Sequence, residues 1–341
     1  MYRLRAMMKR CLAYCLYGSG ILWLIARWRL RDRAVVLTYH RVLPPDADSF
    51  SDSGIKVTPG TFAANVRFLR RHFSPLSADE FVSCVRRGAF PRGACLVTFD
   101  DGWFDNEQYA LPILREANVP AVFFVATGYI GTKDVFWQER MTRQLYMLSR
   151  HPGAGAKVLG ELGIEESRLA DDAVARMAVR SCVTRLKPLE SRDLDRISSA
   201  VTEACRQAGL DVTNLGDDRF MDWDSAVRTA SSALVAVGSH AHSHTPLTRL
   251  GPEKATEDLR RSLTELSLRG IAAPTMCAYP NGDFDANVID SLTRAGLEIG
   301  FTTEHGFVEA KSDRGRLPRV NLHENAAGTP PEFLCRILGI F

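Results

Sequence analysis

The sequence predicts an α/β fold on a mainly parallel sheet of at least seven strands. Three observations predict it. Short β-branched apolar runs recur along the chain, amphipathic helical stretches separate several of them, and polar residues collect where the runs end. That many strands suggests a barrel, although an open sheet fits the same pattern.

The first element is not part of that sheet. "MYRLRAMMKR" is basic, "CLAYCLYGSGILWLIA" (11–26) carries no charge, and "RWRLRDR" is basic again. The apolar run falls short of the roughly 20 residues a spanning helix needs. No small-residue cleavage site follows it, and the balanced basic flanks set no orientation. A hydrophobic helix lying in a membrane interface fits best; a buried helix or a short true span are the alternatives. Residues 1–33 are therefore read as a membrane-associating segment, with the cytoplasmic face of a bacterial inner membrane as the expected location.

The apolar runs follow in order: "AVVLTYH" (34–40), "ACLVTFDD" (94–101), "VPAVFFVAT" (119–127), "ALVAVGSH" (233–240), "PTMCAYP" (274–280), "LEIGFTT" (297–303) and "RVNLH" (319–323). Helical periodicity marks "TPGTFAANVRFLRRHF" (58–73), "NEQYALPILREAN" (106–118) and "EKATEDLRRSLTELSLRG" (253–270). The spacing is regular except at about 131–220. That stretch has helical periodicity without a convincing strand, so it is predicted to be a helical insertion in a domain spanning 34–341.

Composition excludes some functions. A net charge of +3 over 341 residues is too small to argue for a nucleic-acid partner. The eight cysteines include no C-x-x-C pair, and Cys95 and Cys277 sit inside apolar runs. They read as reduced thiols that pack as small hydrophobes.

The chemistry gathers at strand ends, where α/β barrels build their sites. His40, Asp100 with Asp101, His240 and Tyr279 each end a run. "GSHAHSHTPL" packs three histidines into five residues, and His240 and His244 are four apart. On a helix or tight helical turn that spacing sets two imidazoles roughly 5–6 Å apart at Cβ, in reach of one metal ion. The helical version of this pair carries a Glu after the first His; Ala241 stands there, so the base must come from elsewhere. Adjacent buried carboxylates demand a cation or donors. The set therefore reads as a two-His, one-Asp metal site, with the second carboxylate free to act as a base. Zinc suits such donors best; cobalt, nickel or manganese are tolerated.

"TFDDG" (98–102), "GSHAHSH" (238–244) and "AYPNG" (278–282) occur in that order, after "LTYHRV" (37–42). Together they resemble the polysaccharide deacetylases, the NodB-homology group of carbohydrate esterase family 4. The likeness covers about 34–130 and 220–325. It implies a distorted (β/α) barrel and metal-dependent removal of N-acetyl, or sometimes O-acetyl, groups from the sugars of a polysaccharide or lipid-linked glycan. It implies Asp100 as base and Asp101, His240 and His244 as metal ligands. Two departures stand out. The Arg expected two residues before the Pro of the third motif is Ala278, and Arg319 in "LPRV" is the candidate to replace it from a neighbouring strand. The late Asp-x-x-Asp-Trp motif is not recognisable. The family's final motif places a His after a hydrophobic strand, which makes His323 the candidate acid. Tyr279, Asn281, His40 and Arg319 are expected to line the substrate site, while His242, His305 and Trp137 read as structural. A glycan-binding relative without activity, or a metal hydrolase of another amide or ester, are the competing functions.

Overall fold

The computed structural model describes residues 2–151, 153, 155–165, 171–189 and 191–341. The strands are β1 (Ala34–Tyr39), β2 (Arg41–Val42), β3 (Lys56–Val57), β4 (Ser74–Pro75), β5 (Ala94–Phe99), β6 (Ala121–Val125), β7 (Val235–Ser239), β8 (Met276–Ala278), β9 (Ile299–Phe301) and β10 (Val320–Asn321). The helices are α1 (Tyr2–Gly18), α2 (Ile21–Arg29), α3 (Pro59–His72), α4 (Ala78–Arg87), α5 (Leu111–Ala117), α6 (Trp137–Ser149), α7 (Ala156–Glu161), α8 (Asp172–Leu186), α9 (Ser191–Gln207), α10 (Trp223–Ala230), α11 (Pro252–Leu268), α12 (Ala286–Arg294), α13 (Glu324–Ala327) and α14 (Pro330–Ile337).

The chain divides into two compact units. The first comprises Met1–Pro45, Ser53–Thr132 and Phe220–Phe341. Its main sheet runs β10-β1-β5-β6-β7-β8-β9, with β4 also on β5, and every pairing is parallel. Buried on both faces, β1, β5 and β6 are unbroken apolar runs rather than alternating ones. The sheet curls back on itself just before β10. Leu317 N–H donates to Gly300 O at 2.8 Å and Leu317 O accepts from Thr302 N–H at 3.0 Å, tying β9 to the segment that becomes β10. The result is the distorted (β/α) barrel expected.

Local chemistry starts and stops the helices. Thr58 Oγ1 accepts the Thr61 N–H at the start of α3, with Pro59 at the first helical position. Ser77 and Glu80 form a reciprocal capping box on α4, which ends on Gly88 at φ 62. Along α11, Ala255, Leu259, Ser262 and Leu266 form the buried stripe.

The N-terminal apolar run is not one helix. It breaks at Gly20, whose φ of 78 is a left-handed conformation that glycine adopts freely. The two arms bend by 82°, and no single helix among the described residues is long and apolar enough to cross a membrane.

The second unit comprises Asp46–Asp52 and Lys133–Arg219. Helices α6, α8 and α9 enclose its own core, including Met141, Leu145, Val179 and Val201, with Trp137 packed against it. The short 46–52 segment is held by Asp218, which accepts from Ser49 Oγ at 2.6 Å and Phe50 N–H at 2.9 Å. All eight cysteines are free thiols.

Candidate active site

Register builds the site. Tyr39 pairs with Phe99, so His40 and Asp100 leave adjacent strand ends together. Ser239 pairs with Cys277, so His240 comes off beside Ala278. Of the five non-glycine residues with positive φ among the described residues, four lie here: Asp101 (80), Ala241 (61), His244 (55) and Asn281 (60). Such backbone is costly and persists where surrounding contacts enforce it. Gly102, at φ 87, could not be replaced cheaply, because an added Cβ would lie 3.0 Å from both Ile130 and Val125 side chains.

The two aspartates have opposite surroundings. Asp100 is gripped by Arg319, Nη1 donating to Oδ1 at 2.8 Å and Nη2 to Oδ2 at 2.6 Å. Arg319 is itself buried, and its Nε donates to Thr302 O at 2.9 Å. Burial raises the Asp100 pKa, but the charges of Arg319, His240 and His40 and the Arg319 hydrogen bonds outweigh it, and the net direction is down. Asp101 turns Oδ1 to two imidazoles, 3.4 Å from His240 Nε2 and 3.3 Å from His244 Nε2. Here too burial is outweighed by the histidine contacts, and the carboxyl is held well below its usual range.

Asp101, His240 and His244 each offer one ligating atom within 4.8 Å of the others. Two donors about 2.1 Å from one ion at a tetrahedral angle lie about 3.4 Å apart, which matches both Asp101–histidine separations. His240 Nδ1 lies 2.7 Å from Ala278 O; a carbonyl only accepts, so Nδ1 carries the proton and Nε2 keeps its lone pair for a metal. The chemistry of the donors and their spacing fit a divalent ion. The two histidines do not achieve this on a helix, as their spacing suggested. The 240–244 segment is a loop, and left-handed backbone at Ala241 and His244 brings the ring centroids to 5.0 Å. Asp258 on α11 anchors that loop by accepting from His242 N–H at 2.7 Å and Ser243 N–H at 3.2 Å. His242 itself turns to Thr127 Oγ1, 3.0 Å away.

Other candidates fall at different distances from this centre. His40 Nε2 lies 3.9 Å from Asp100 Oδ2, with the ring partly exposed, and its buried Nδ1 has no hydrogen-bond partner among the described residues. His323 follows β10 and caps α13 with its carbonyl, which accepts from Ala326 and Ala327 N–H. Tyr279 is fully buried and its hydroxyl donates to Gly315 O at 2.7 Å, so it packs in the barrel wall. Asn281 is an exposed turn residue. His305 Nε2 contacts Arg336 O at 3.2 Å.

Supporting residues escaped the sequence reading. Trp103 Nε1 donates to Asp101 Oδ2 at 2.8 Å, fixing the oxygen turned away from the histidines. The indole is sandwiched by Phe220, with centroids 4.2 Å apart, and by Arg41 at 4.1 Å. Arg41 is fixed in turn by Asp105 at 2.8 Å. The available signal was an indole N–H two residues after Asp101, a donor that needs an acceptor when buried.

Comparisons with known proteins bear on the fold and the family. Poly-beta-1,6-N-acetyl-D-glucosamine N-deacetylase of Staphylococcus epidermidis is 29% identical over 312 residues, covering 88% of this chain and 82% of that protein. The structure of IcaB from Ammonifex degensii superposes with a TM-score of 0.57 at 19% identity, covering 90% of this chain and 97% of its own. The Streptococcus pyogenes deacetylase PplD, solved in complex with acetate, superposes with a TM-score of 0.55 at 16% identity, covering 90% and 98%. The sequence profile of the family described as polysaccharide deacetylase matches residues 87–177 and 197–300, more than half of the chain and inclusive of Asp100, Asp101, His240 and His244. This chain belongs to the polysaccharide deacetylase family.

Proposed function

We propose that the protein is a metal-dependent N-deacetylase of a polymer containing β-1,6-linked N-acetylglucosamine. The observation that carries the reading is the division of labour between adjacent carboxylates: Asp100 on a buried guanidinium, Asp101 on two imidazoles. The polymer class rests on the Staphylococcus epidermidis relative, which aligns along most of both chains.

Asp101, His240 and His244 would hold the ion, zinc by preference, with cobalt, nickel or manganese as workable substitutes. A divalent ion there supplies polarisation of the amide carbonyl and a lowered pKa for attacking water. Asp100 is the base that takes the proton of that water. The two Arg319 hydrogen bonds fix its orientation, and its lowered pKa keeps it ionised at neutral pH. Cleavage of the C–N bond then needs a proton on the leaving amine. His40 is the preferred donor, because its partly exposed ring stands 3.9 Å from Asp100. His323 is the second candidate from the same barrel end.

Acetate release from a β-1,6-linked N-acetylglucosamine oligomer tests the reading. Release should stop on chelation and return with added zinc. Release that is indifferent to chelation, or absent from the metal-loaded protein, would defeat it.

A further inference from the structure

We propose that α1 and the outer face of α2 form an in-plane anchor for an anionic lipid surface. Helix α2 has two apolar faces. Leu22 and Ala26 face inward and are buried, as is Leu30 just beyond the helix, and Trp23 stacks on Phe68 with centroids 5.7 Å apart. Ile21, Leu24 and Trp28 face outward, and the last two are 68% and 74% exposed. Positions 21, 24 and 28 make one stripe on a helix. Helix α1 adds exposed Met7, Met8, Leu12 and Tyr14. Among the described residues, ten large hydrophobics are exposed, and these are seven of them. A patch so concentrated marks a surface that something covers.

Charge identifies the cover. The first 31 residues carry seven Lys and Arg and no Asp or Glu. The remaining chain has 36 basic against 40 acidic residues, so the basic character of the protein resides in this segment. Lys9, Arg10, Arg27 and Arg31 are exposed beside the apolar stripes. Apolar side chains bordered by cations match the acyl boundary and phosphate headgroups of an anionic bilayer. A second copy of the chain fits less well, because like charges would face each other across the contact. The 82° bend at Gly20 sets the two short arms against a straight crossing. The anchor meets the barrel at the strand end opposite Asp100: Leu30 O accepts from Gly93 N–H, one residue before β5 begins.

Co-sedimentation of the full chain with vesicles tests this. Vesicles containing phosphatidylglycerol should retain the protein, phosphatidylcholine vesicles should retain far less, and high salt should weaken the binding. The double substitution Leu24→Ser/Trp28→Ser removes apolar atoms only from the exposed face. It should keep the melting temperature and acetate release from a soluble oligomer, yet lower partitioning at least about tenfold. Arg10→Glu/Arg27→Glu should lower it comparably for phosphatidylglycerol alone. Full-chain protein that ignores phosphatidylglycerol vesicles would overturn the proposal. So would undiminished binding by Leu24→Ser/Trp28→Ser, or a lipid-free dimer that this variant converts to monomer.

Discussion

Arg319 and Asp100 form a buried, two-pronged ion pair between the segment leading into β10 and the end of β5, 219 residues apart in sequence. Position 278, where the family resemblance implies an arginine, is alanine in this chain, and the guanidinium that holds Asp100 is that of Arg319. A guanidinium arriving from another strand reaches the same carboxylate because the curled sheet sets β10, β1 and β5 side by side.

The first prediction follows from that pair. Burial alone would raise the Asp100 pKa, and Arg319 is the largest opposing influence. Without Arg319 the carboxyl protonates at higher pH, so the acid limb of kcat/KM should move to higher pH. Arg319→Ala should shift it further than Arg319→Lys. Removing one partner of a buried pair costs roughly 3–5 kcal/mol, so the lysine variant is the one to profile if the alanine variant fails to fold. An acid limb at the wild-type pH in both would remove Asp100 from the titration.

The second concerns the metal. His240→Ala, His244→Ala and Asp101→Asn should each abolish stoichiometric zinc, measured by elemental analysis of dialysed protein. Retention of full metal content by both histidine variants would mean that the ion sits elsewhere.

Trp103 supplies the third. Trp103→Phe keeps an aromatic ring between Arg41 and Phe220 but loses the 2.8 Å hydrogen bond to Asp101 Oδ2. Loss of such outer contacts typically weakens metal binding about 10–100-fold. A competition titration with a chromophoric chelator should show that loss even where the melting temperature changes little. Wild-type affinity would reduce the indole to packing.

The fourth separates two histidines. Protonation of the leaving amine is the task of one acid. His40→Ala should lower kcat by about 10²–10⁴-fold, and His323→Ala should leave it near the wild-type value. The reverse pattern would return the role to His323.

These predictions rest on residues that differ in how readable they were. The strand ends carrying His40, Asp100 and His240 were legible because buried parallel strands are continuous apolar runs that stop abruptly at polar residues. Two-residue strands such as β2 and β4 leave no such pattern. Side-chain direction was not legible either. Tyr279 looked like a substrate contact from its strand-end position, yet its hydroxyl points to Gly315 O inside the wall. The four-residue spacing of His240 and His244 suggested a helix, but left-handed backbone at Ala241 and His244 makes it a loop, a feature local propensity does not announce. The Asp258–loop contact depends on tertiary placement and could not be read at all, and the Trp103–Asp101 contact left only the position of the indole two residues after Asp101 as a signal. Gly18 and Gly20 lie at the break between α1 and α2, where one hydrophobic helix was expected.

The central claim is that Asp100 takes the proton while Asp101 holds the ion. It is tested most directly by the turnover of Asp100→Asn loaded with one equivalent of zinc, assayed as acetate release from a β-1,6-linked N-acetylglucosamine oligomer. General-base catalysis contributes about 10²–10⁴-fold. The account therefore predicts wild-type zinc content with kcat lower by that factor and substrate affinity changed far less. A zinc-loaded Asp100→Asn enzyme turning over at close to the wild-type kcat would contradict it.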